Sequence, residues 1–559
     1  MYTWLIMVAL YRGTSACMIS PMIRILAVPL LCVLLISACN LSKTDPPSNA
    51  VSADSDSPPV TSADITASPA KAEQRPLPTA LPAATQAPPN RCLSEAGRPT
   101  RRIRAAVDID FENKSIQVSQ RLEFFNRERT PIEEVILDVQ TNQWADTFFL
   151  AELKVDGQEA SYRLDRNRLE VDLAEPLRAG CWLEIALGFR LLPAAISDGL
   201  RSYRGFFGYS PRQLNLGHFL PTVAARLDGV WRIHEPVGIG EQIVYEVADW
   251  DVDITVSGAS ESLQVAAPGT VKRVDDGRWT VQLRESRDFA LSLSEAFVVL
   301  EQELPNGVTL AVYAFADAVV NDRGLEMDGA AHVLQEAAKS LETFARLFGE
   351  YPWDRLVIVQ GDFPDGMEFT GLVFVGSAWF YGFDGSPRNY LTLISVHEIA
   401  HQWWYARVGN DAALNPWLDE ALATYSEYLF IEAHYPADKN WWWTFRVAAY
   451  FPRGLVDYPV YEFNTPREYI NAIYLRGAQM LQNLRADIGD EAFFALLRAY
   501  YAAGDARIAD PSLFWRQLAP EQQPLTEATR REFLSDPAVN AFVAPASQPE
   551  QAEPEGNSP

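Results

Sequence analysis

The sequence predicts a multidomain protein, with an N-terminal all-β sandwich over residues 99–297 and an α+β, mainly helical domain over residues 298–538. Two observations predict this division. From about residue 100, apolar residues alternate with polar ones at a period of two, as in strands with one buried face. After residues 308–315 the apolar period becomes helical. A chain of 559 residues that is 48% hydrophobic is also long enough to bury more than one core.

The β half begins with a predicted hairpin. Ile103, Val107 and Ile109 alternate with polar or small residues, and Ile116 and Val118 resume the alternation after the turn "ENKS". Short runs such as "RLEVDLAE", "DWDVDITVS" and "RWTVQLRES" follow. Several short strands separated by turn residues are typical of a β sandwich.

The second half mixes strand and helix. The stretch "LEMDGAAHVLQEAAKSLETFARLFG" predicts one long amphipathic helix that ends at Gly349, and "RLVIVQGDF" predicts a strand. Beyond about residue 388 the pattern is predominantly helical.

The N-terminus has the features of a secretion signal. Arg24 precedes an apolar run, Ile25–Ile36, that is too short to span a bilayer comfortably. The following "ISAC" resembles the lipobox of bacterial lipoproteins, so residues 1–39 are predicted to be a lipoprotein signal peptide and Cys39 the lipidated residue. An ordinary signal peptide or a membrane anchor is the alternative. Met18 and Met22 are more usual starts than Met1, which makes residues 1–17 a candidate gene-model extension.

Two segments are predicted to be disordered. Residues 41–90 contain ten prolines and no glycine or aromatic residue, so they bury too little apolar surface to offset the entropy of ordering. We therefore interpret residues 40–98 as a Pro/Ser/Ala/Thr-rich linker and residues 539–559 as a tail. Behind a lipidated cysteine, this linker would hold an extracytoplasmic protein on the outer face of the bacterial cell membrane or envelope.

Cysteine usage agrees with an oxidising compartment. Cys17 and Cys32 fall in the removed segment, which leaves Cys92 and Cys181 in the mature chain. An even pair outside the cytoplasm predicts one disulfide. Two free buried thiols are the alternative.

The charge balance argues against one class of partner. The formal net charge is −26 and no cluster of Lys or Arg stands out. Nucleic-acid binding needs basic patches, so we expect no nucleic-acid partner.

The stretch "HEIAHQWWYARVGND" suggests a metal centre. His397 and His401 lie four residues apart on a helix predicted to end at Gly409. Positions i and i+4 share one helix face, so both imidazoles can bind one ion. HExxH also occurs in unrelated helices as a packed histidine beside a surface glutamate, and a third ligand would separate the two cases.

A third ligand is present at a suitable distance. In "ALNPWLDEALATYSEYLF", Asn415 is predicted to cap a second helix and Pro416 to begin it. Glu420 then lies in its first turns and completes a His₂Glu set for one Zn²⁺ per chain. The other histidines have no comparable context and are expected to be surface or core residues: His218, His234, His332 and His434.

The predicted reaction follows from the metal. Zinc with three protein ligands keeps a water whose pKa falls to about 7. Glu398 is not a ligand, because it lies about 100° around the helix from His397. It faces the open side of the metal, where it can act as general base and return the proton to a leaving amine. Amide hydrolysis is the simplest chemistry for these groups.

At this point the chain resembles the M1 (gluzincin) family of zinc aminopeptidases, in a short bacterial lipoprotein form. The residues that carry the resemblance are "HEIAHQWW", the later "WLDEALATY", "LFGEYPWDRLVIV", "PDGMEFTGLVFV" and "AIYLRGAQMLQNL". The resemblance covers roughly residues 100–535 and implies a thermolysin-like fold for the second domain.

The resemblance also implies roles for residues outside the zinc motif. It makes Tyr474 the phenol that stabilises the oxyanion and Glu368 the carboxylate that binds the substrate's free α-amino group. Gly366 and Met367 belong to the same substrate-binding motif, usually Gly-x-Met-Glu-Asn.

The chain departs from that family at several points. Asp365 and Phe369 replace the first Gly and the final Asn of the substrate-binding motif, and Asp419 replaces an Asn often found before the third ligand. Nothing substantial follows about residue 535, so we expect an open cleft that admits longer peptides.

The leading hypothesis is a zinc aminopeptidase that acts on peptides with a free N-terminus and is attached to a membrane by its lipid. A zinc endopeptidase or an epoxide hydrolase on the same scaffold is the alternative among hydrolases. A catalytically dead, surface-tethered binding protein is the alternative from another class. The oligomeric state stays open.

Overall fold

A computed structural model describes Cys92 and residues 101–196, 205–322 and 324–535. The predicted signal peptide over residues 1–39 with its lipidated Cys39, nearly all of the linker, and the tail over residues 539–559 lie outside the described residues.

The strands are, in chain order, β1 (Arg101–Asp110), β2 (Ser115–Phe125), β3 (Ile132–Asp138), β4 (Phe148–Val155), β5 (Gln158–Glu159), β6 (Tyr162–Asp165), β7 (Arg168–Leu177), β8 (Trp182–Leu191), β9 (Phe207–Tyr209), β10 (Leu214–Leu216), β11 (Thr222–Val223), β12 (Ala225–Leu227), β13 (Val230–Arg232), β14 (Ala248–Ser257), β15 (Gln264–Ala266), β16 (Thr270–Asp275), β17 (Arg278–Ser286), β18 (Leu291–Ser294), β19 (Phe297–Glu303), β20 (Thr309–Phe315), β21 (Val319–Asp322), β22 (Leu325–Asp328), β23 (Arg355–Gly361), β24 (Gly366–Phe369), β25 (Leu372–Gly376), β26 (Gly409–Asn410) and β27 (Ile508–Ala509).

The α-helices are α1 (Gly329–Leu347), α2 (Ser377–Tyr381), α3 (Tyr390–Ala400), α4 (Trp417–His434), α5 (Lys439–Trp442), α6 (Pro466–Tyr469), α7 (Gly477–Ile488), α8 (Asp490–Gly504), α9 (Pro511–Trp515) and α10 (Glu527–Phe533). Two π-helical segments, Trp443–Val447 and Ile470–Arg476, follow α5 and α6 directly.

Among the described residues, the N-terminal half contains three larger sheets and the two-stranded sheet β12-β13. The largest has eight strands in the order β16-β17-β14-β1-β2-β8-β4-β5, and two four-stranded sheets have the orders β15-β18-β10-β9 and β11-β3-β7-β6. The predicted hairpin is β1 with β2, paired antiparallel, and their side chains alternate between buried and less buried positions. A period of two in the sequence therefore gives one face to the core.

A disulfide joins Cys92 to Cys181, the pair that the cysteine count selects. Cys181 is buried and lies immediately before strand β8, so the bond ties the segment at Cys92 to the large sheet.

The C-terminal half contains a five-stranded sheet of order β19-β20-β23-β25-β24, with helix α1 between β20 and β23 and the other helices after β25. The described residues belong to one compact unit, and their largest hydrophobic core contains side chains from both halves.

The first long helix starts later than the sequence pattern predicts. Residues Leu325–Asp328 form strand β22 against β21, and helix α1 begins at Gly329. Asp328 caps it, because its carboxylate accepts a hydrogen bond of 2.9 Å from the backbone N–H of Ala331.

The motif helix ends earlier than predicted. It ends at Ala400 rather than Gly409, with His401 as its C-cap. The chain then turns, so that the ring of Trp404 enters the core and its carbonyl accepts a 2.9 Å hydrogen bond from Nδ1–H of His401. Tertiary contacts of this segment thus override its helical pattern.

Arg287 holds this turn against the β-rich half. Its side chain is only 1% exposed and donates to the carbonyl oxygens of Tyr245, Tyr405, Arg407 and Arg507 at 2.6–2.9 Å. One guanidinium therefore joins chain segments that are far apart in sequence.

Among the described residues, no helix combines the length and the apolar character needed to span a bilayer.

Removing the Arg287 guanidinium tests this connection. Arg287→Met keeps much of the side chain's volume but removes the guanidinium donor from the buried carbonyl groups of Tyr245 and Tyr405, while those of Arg407 and Arg507 keep a backbone donor. We therefore expect a loss of at least about 2 kcal/mol in the free energy of unfolding. Thermal and urea unfolding measure it. Arg531→Met, at an exposed arginine, is the control and should change stability by less than about 0.5 kcal/mol. Equal stability of the two variants would contradict the assigned role.

Candidate metal centre

Two helices present the predicted metal ligands. Helix α3 is capped by Asn389, whose side chain accepts a 3.0 Å hydrogen bond from the backbone N–H of Thr392. His397 lies in its last turn and His401 is its C-cap residue. Glu420 lies in the first turn of α4, which begins at Trp417, one residue later than predicted.

The three side chains meet in the core. Nε2 of His397 lies 3.2 Å from Nε2 of His401 and 3.2 Å from Oε2 of Glu420, and Nε2 of His401 lies 3.5 Å from the same oxygen. Donors bonded to a tetrahedral zinc at about 2.0–2.1 Å are separated by roughly 3.3 Å. The donor set and its spacing therefore fit one zinc ion.

The outer hydrogen bonds of the histidines keep Nε2 free for a metal. Nδ1–H of His397 donates to Oε1 of Glu427 at 3.0 Å, and Nδ1–H of His401 donates to the carbonyl of Trp404 at 2.9 Å. A donated Nδ1–H leaves the lone pair on Nε2, and partners of this kind orient metal-binding histidines.

Glu427 is a supporting residue that the sequence analysis missed. It is fully buried, and Arg446 donates to both of its oxygens at 2.8 Å while Nε1–H of Trp442 donates at 3.2 Å. Glu427 follows Glu420 by seven residues, which places both on one face of α4. That spacing could have indicated that Glu427 lies near the metal ligands, but nothing in the sequence indicated that Arg446 is the partner of Glu427.

The charges in this cluster favour a cation. Burial opposes ionisation of Glu420, yet its hydrogen bonds with His397 and His401 hold its pKa well below the usual range. Burial likewise opposes the charged form of His397, but bonds to Glu420 and Glu427 raise its pKa to about 9. The pocket thus stabilises positive charge next to the Glu420 carboxylate.

Glu398 lies beside the three ligands. Burial, together with the Glu368 and Glu420 carboxylates, raises its pKa well above the usual value. A dication in the pocket would lower it again, because positive charge favours the carboxylate. Carboxylate oxygens of Glu398 and Glu368 and a ring nitrogen of His401 all lie within 4.8 Å of one another.

Gly366 makes room for Glu398. A Cβ atom at Gly366 would overlap the Glu398 carboxylate, so this glycine allows the acid to lie against the backbone of strand β24. Gly366 stands at the variable position of the family motif, so the need for a glycine here comes from this close approach and not from the motif.

Glu368 and Met367 lie on the same strand and are both buried. Glu368 has an acidic neighbour that the sequence analysis missed, Glu241 from the β-rich half, and their side chains are hydrogen-bonded. Burial and the nearby Glu368 and Glu420 carboxylates raise the pKa of Glu241 well above its usual value. No sequence spacing could have linked Glu241 to this strand.

Tyr474 lies next to the candidate ligands, within the π-helical segment Ile470–Arg476. Its ring stacks on that of His397 at 5.6 Å, and its side chain is hydrogen-bonded to Glu420. Burial and the Glu420 charge raise the pKa of Tyr474 well above its usual value, so the phenol remains a proton donor at neutral pH. Single π turns often occur at functional sites.

The three residues that depart from the family pattern lie in different surroundings. Phe369 is fully buried and packs against the ring of His218 at 4.7 Å. Asp419 accepts a 2.8 Å hydrogen bond from Asn410. Asp365 is exposed just ahead of strand β24.

The tryptophans near the motif are mainly core residues. Trp403, Trp404 and Trp442 are buried, and Trp441 and Trp443 are partly buried against the same core.

Residues 332–533 match the family model described as the Peptidase family M1 domain. Aminopeptidase N from Lactobacillus helveticus is 26% identical over 258 residues, which is 43% of this chain and 30% of that protein. The chain covers less than a third of the length of the curated relatives it matches.

The fold resembles that of solved structures. An M1 zinc metallopeptidase from Deinococcus radiodurans superposes with a TM-score of 0.55 at 19% identity and covers 82% of this chain and 95% of its own. A mutant of that protein bound to a Tyr-Ser-Ala substrate gives 0.55 at 18% identity, covering 77% and 92%. The predicted fold class, a sheet-rich N-terminal half before a mainly helical one, is confirmed.

The close approach at Gly366 gives a direct test of the placement of Glu398. Gly366→Ala should displace the acid and lower kcat about 10- to 100-fold on a peptide substrate, while bound zinc stays at the wild-type level. Steady-state kinetics and elemental analysis measure the two effects. Gly382→Ala is the control, because a Cβ there meets only ordinary contacts. Unchanged kcat in Gly366→Ala would show that Glu398 is placed elsewhere or does not act.

Proposed function

We propose that this chain, which belongs to peptidase family M1 through the domain at residues 332–533, is a zinc-dependent aminopeptidase that hydrolyses the N-terminal peptide bond of peptides. One observation carries the proposal. Acidic oxygens of Glu368 and Glu398 lie within 4.8 Å of each other and of the ligand His401, so an anchor for an amine adjoins a base and a metal site.

The zinc ion would be held by His397, His401 and Glu420. When bound, it supplies Lewis acidity toward water and toward the substrate carbonyl. Glu427 and the Trp404 carbonyl keep the two imidazoles in the tautomer and orientation for binding.

Glu398 is the proposed general base. It accepts a proton from the attacking water and later delivers it to the leaving amine, so the same carboxyl group acts in both halves of the reaction. Burial and the nearby carboxylates raise the pKa of Glu398, and a bound dication would lower it, so the carboxyl group could both accept and return a proton.

Tyr474 is the proposed oxyanion donor. Its phenol stays protonated at neutral pH and lies beside the ligands His397 and Glu420. Loss of one such donor typically costs about 10²- to 10³-fold in kcat.

The acidic pair Glu368 and Glu241 is the proposed site for the substrate's α-ammonium. Burial, together with the Glu368 and Glu420 carboxylates, raises the pKa of Glu241, so a second negative charge beside Glu368 is costly, and an ammonium group bound at the pair would compensate it. An internal peptide segment or an epoxide carries no such charge and would leave the pair uncompensated. This argument favours an aminopeptidase over the endopeptidase and epoxide hydrolase alternatives.

The binding-protein alternative is less well supported. It would not require a base, a phenol and a supported ligand set around one point, yet Glu398, Tyr474 and Glu427 all adjoin the ligands.

The compartment is a separate proposal. We propose that the chain is extracytoplasmic and held at a membrane by a lipid on Cys39. The bond between Cys92 and Cys181 supports an oxidising compartment.

Dependence on a free amine tests the proposed function. The wild-type protein should cleave an aminoacyl-anilide at least about 100-fold more efficiently than its N-acetyl derivative, because acetylation removes the charge that the acidic pair binds. Glu368→Gln should raise KM for the free-amine substrate about 10-fold or more. Glu491→Gln, an exposed glutamate at the start of α8, should leave KM unchanged. Equal cleavage of the free and acetylated substrates by the wild type would refute the aminopeptidase assignment.

A further inference from the structure

The strand that carries Glu368 is short and lies at an edge. Strand β24 has four residues and pairs antiparallel with β25 at the end of the five-stranded sheet in the described part of the chain. A tight turn, with Gly371 at φ +71°, joins the two strands. A short two-stranded connection of this kind is weak by itself, so the position of Glu368 depends on what holds the turn.

Gln402 holds that turn from the metal side. Its Nε2–H donates to the carbonyl of Phe369 at 3.1 Å, and its Oε1 accepts from the backbone N–H of Gly371 at 2.8 Å. The side chain is 1% exposed, and the residue directly follows the ligand His401. A primary amide can donate and accept at once, which a carboxylate or an apolar side chain of the same size cannot do.

Asp288 holds the same turn from the β-rich half. Its Oδ1 accepts a 2.9 Å hydrogen bond from the backbone N–H of Thr370, and its Oδ2 accepts from the hydroxyl of Tyr405. Polar backbone groups of three consecutive residues, 369–371, are therefore tied to side chains outside the sheet.

We propose that Gln402 is a positioning residue that sets the distance between the amine anchor Glu368 and the metal. This inference rests on the proposed function. Glu368 is the residue immediately before Phe369, and His401 is the residue immediately before Gln402, so the two hydrogen bonds connect the amine-binding strand to the ligand segment by a short path. The amine and the scissile bond of a bound substrate are a fixed distance apart, and a rigid connection keeps their two binding groups at the matching distance.

Two zinc-binding probes separate amine anchoring from metal binding. Leucine hydroxamate and N-acetyl-leucine hydroxamate both bind zinc through the hydroxamate, but only the first has an α-ammonium group. We measure both Kd values by calorimetry on zinc-loaded protein and divide the Kd of the acetylated probe by that of the free-amine probe. This ratio reports how well the anchor is aligned with the metal.

In Gln402→Met we expect this ratio to fall about 10-fold or more from the wild-type value, with Kd for the acetylated probe changed less than about 3-fold and zinc content unchanged. Gln402→Glu keeps the acceptor for Gly371 and loses the donor to Phe369, so it should give an intermediate ratio. Gln402→Glu also tests the positioning role if Gln402→Met does not fold.

Gln213→Met is the matched control. Gln213 is also fully buried, and its side-chain amide likewise bonds two backbone groups. It donates to the carbonyl of Gln360 at 3.0 Å and accepts from the N–H of Asp362 at 2.8 Å. It should lower thermal stability without changing the ratio, since a general loss of packing does not move Glu368 relative to the metal.

A wild-type ratio in the Gln402 variants, or an equal fall in Gln213→Met, would overturn the positioning role and leave the proposed function intact. If the wild type itself binds both probes equally, Glu368 is no amine anchor, and both proposals fail together.

Discussion

The site depends on charge compensation among buried carboxylates. Glu368, Glu398, Glu420 and Glu427 are all at least nine-tenths buried, where an uncompensated negative charge is costly. Glu427 is neutralised within the chain by Arg446. Glu420 meets His397 and His401, while Glu368 and Glu398 lie close to His401, so a divalent cation bound by the first group would compensate the negative charge of these acids.

Support for this centre comes from both halves of the chain. The helical half contributes the candidate ligands and the Glu427–Arg446 pair, while the β-rich half contributes Glu241 and Asp288 around strand β24. Arg287 links the same two halves through the turn after His401. Since they share one core, a change in their packing would alter both the position of Glu368 and the segment that carries His401.

Local patterns were enough to predict much of this arrangement. The period of two identified the β1–β2 hairpin, and the i, i+4 spacing with a later helical glutamate brought together His397, His401 and Glu420. The features that the sequence did not predict share a physical cause, because they depend on contacts between residues that are distant in sequence. The motif helix ends at Ala400 because the Trp404 segment packs into the core, and Glu241 reaches Glu368 from another part of the chain. Gln402 gave no signal, because a buried amide that binds backbone resembles any polar helix residue in sequence.

The central claim is that His397, His401 and Glu420 hold one zinc ion, and elemental analysis of protein purified without chelator tests it most directly. We expect about one zinc per chain in the wild type and a loss of nearly all of it in the double variant His397→Ala/His401→Ala. A metal-free wild type, or undiminished zinc in the double variant, would contradict the account.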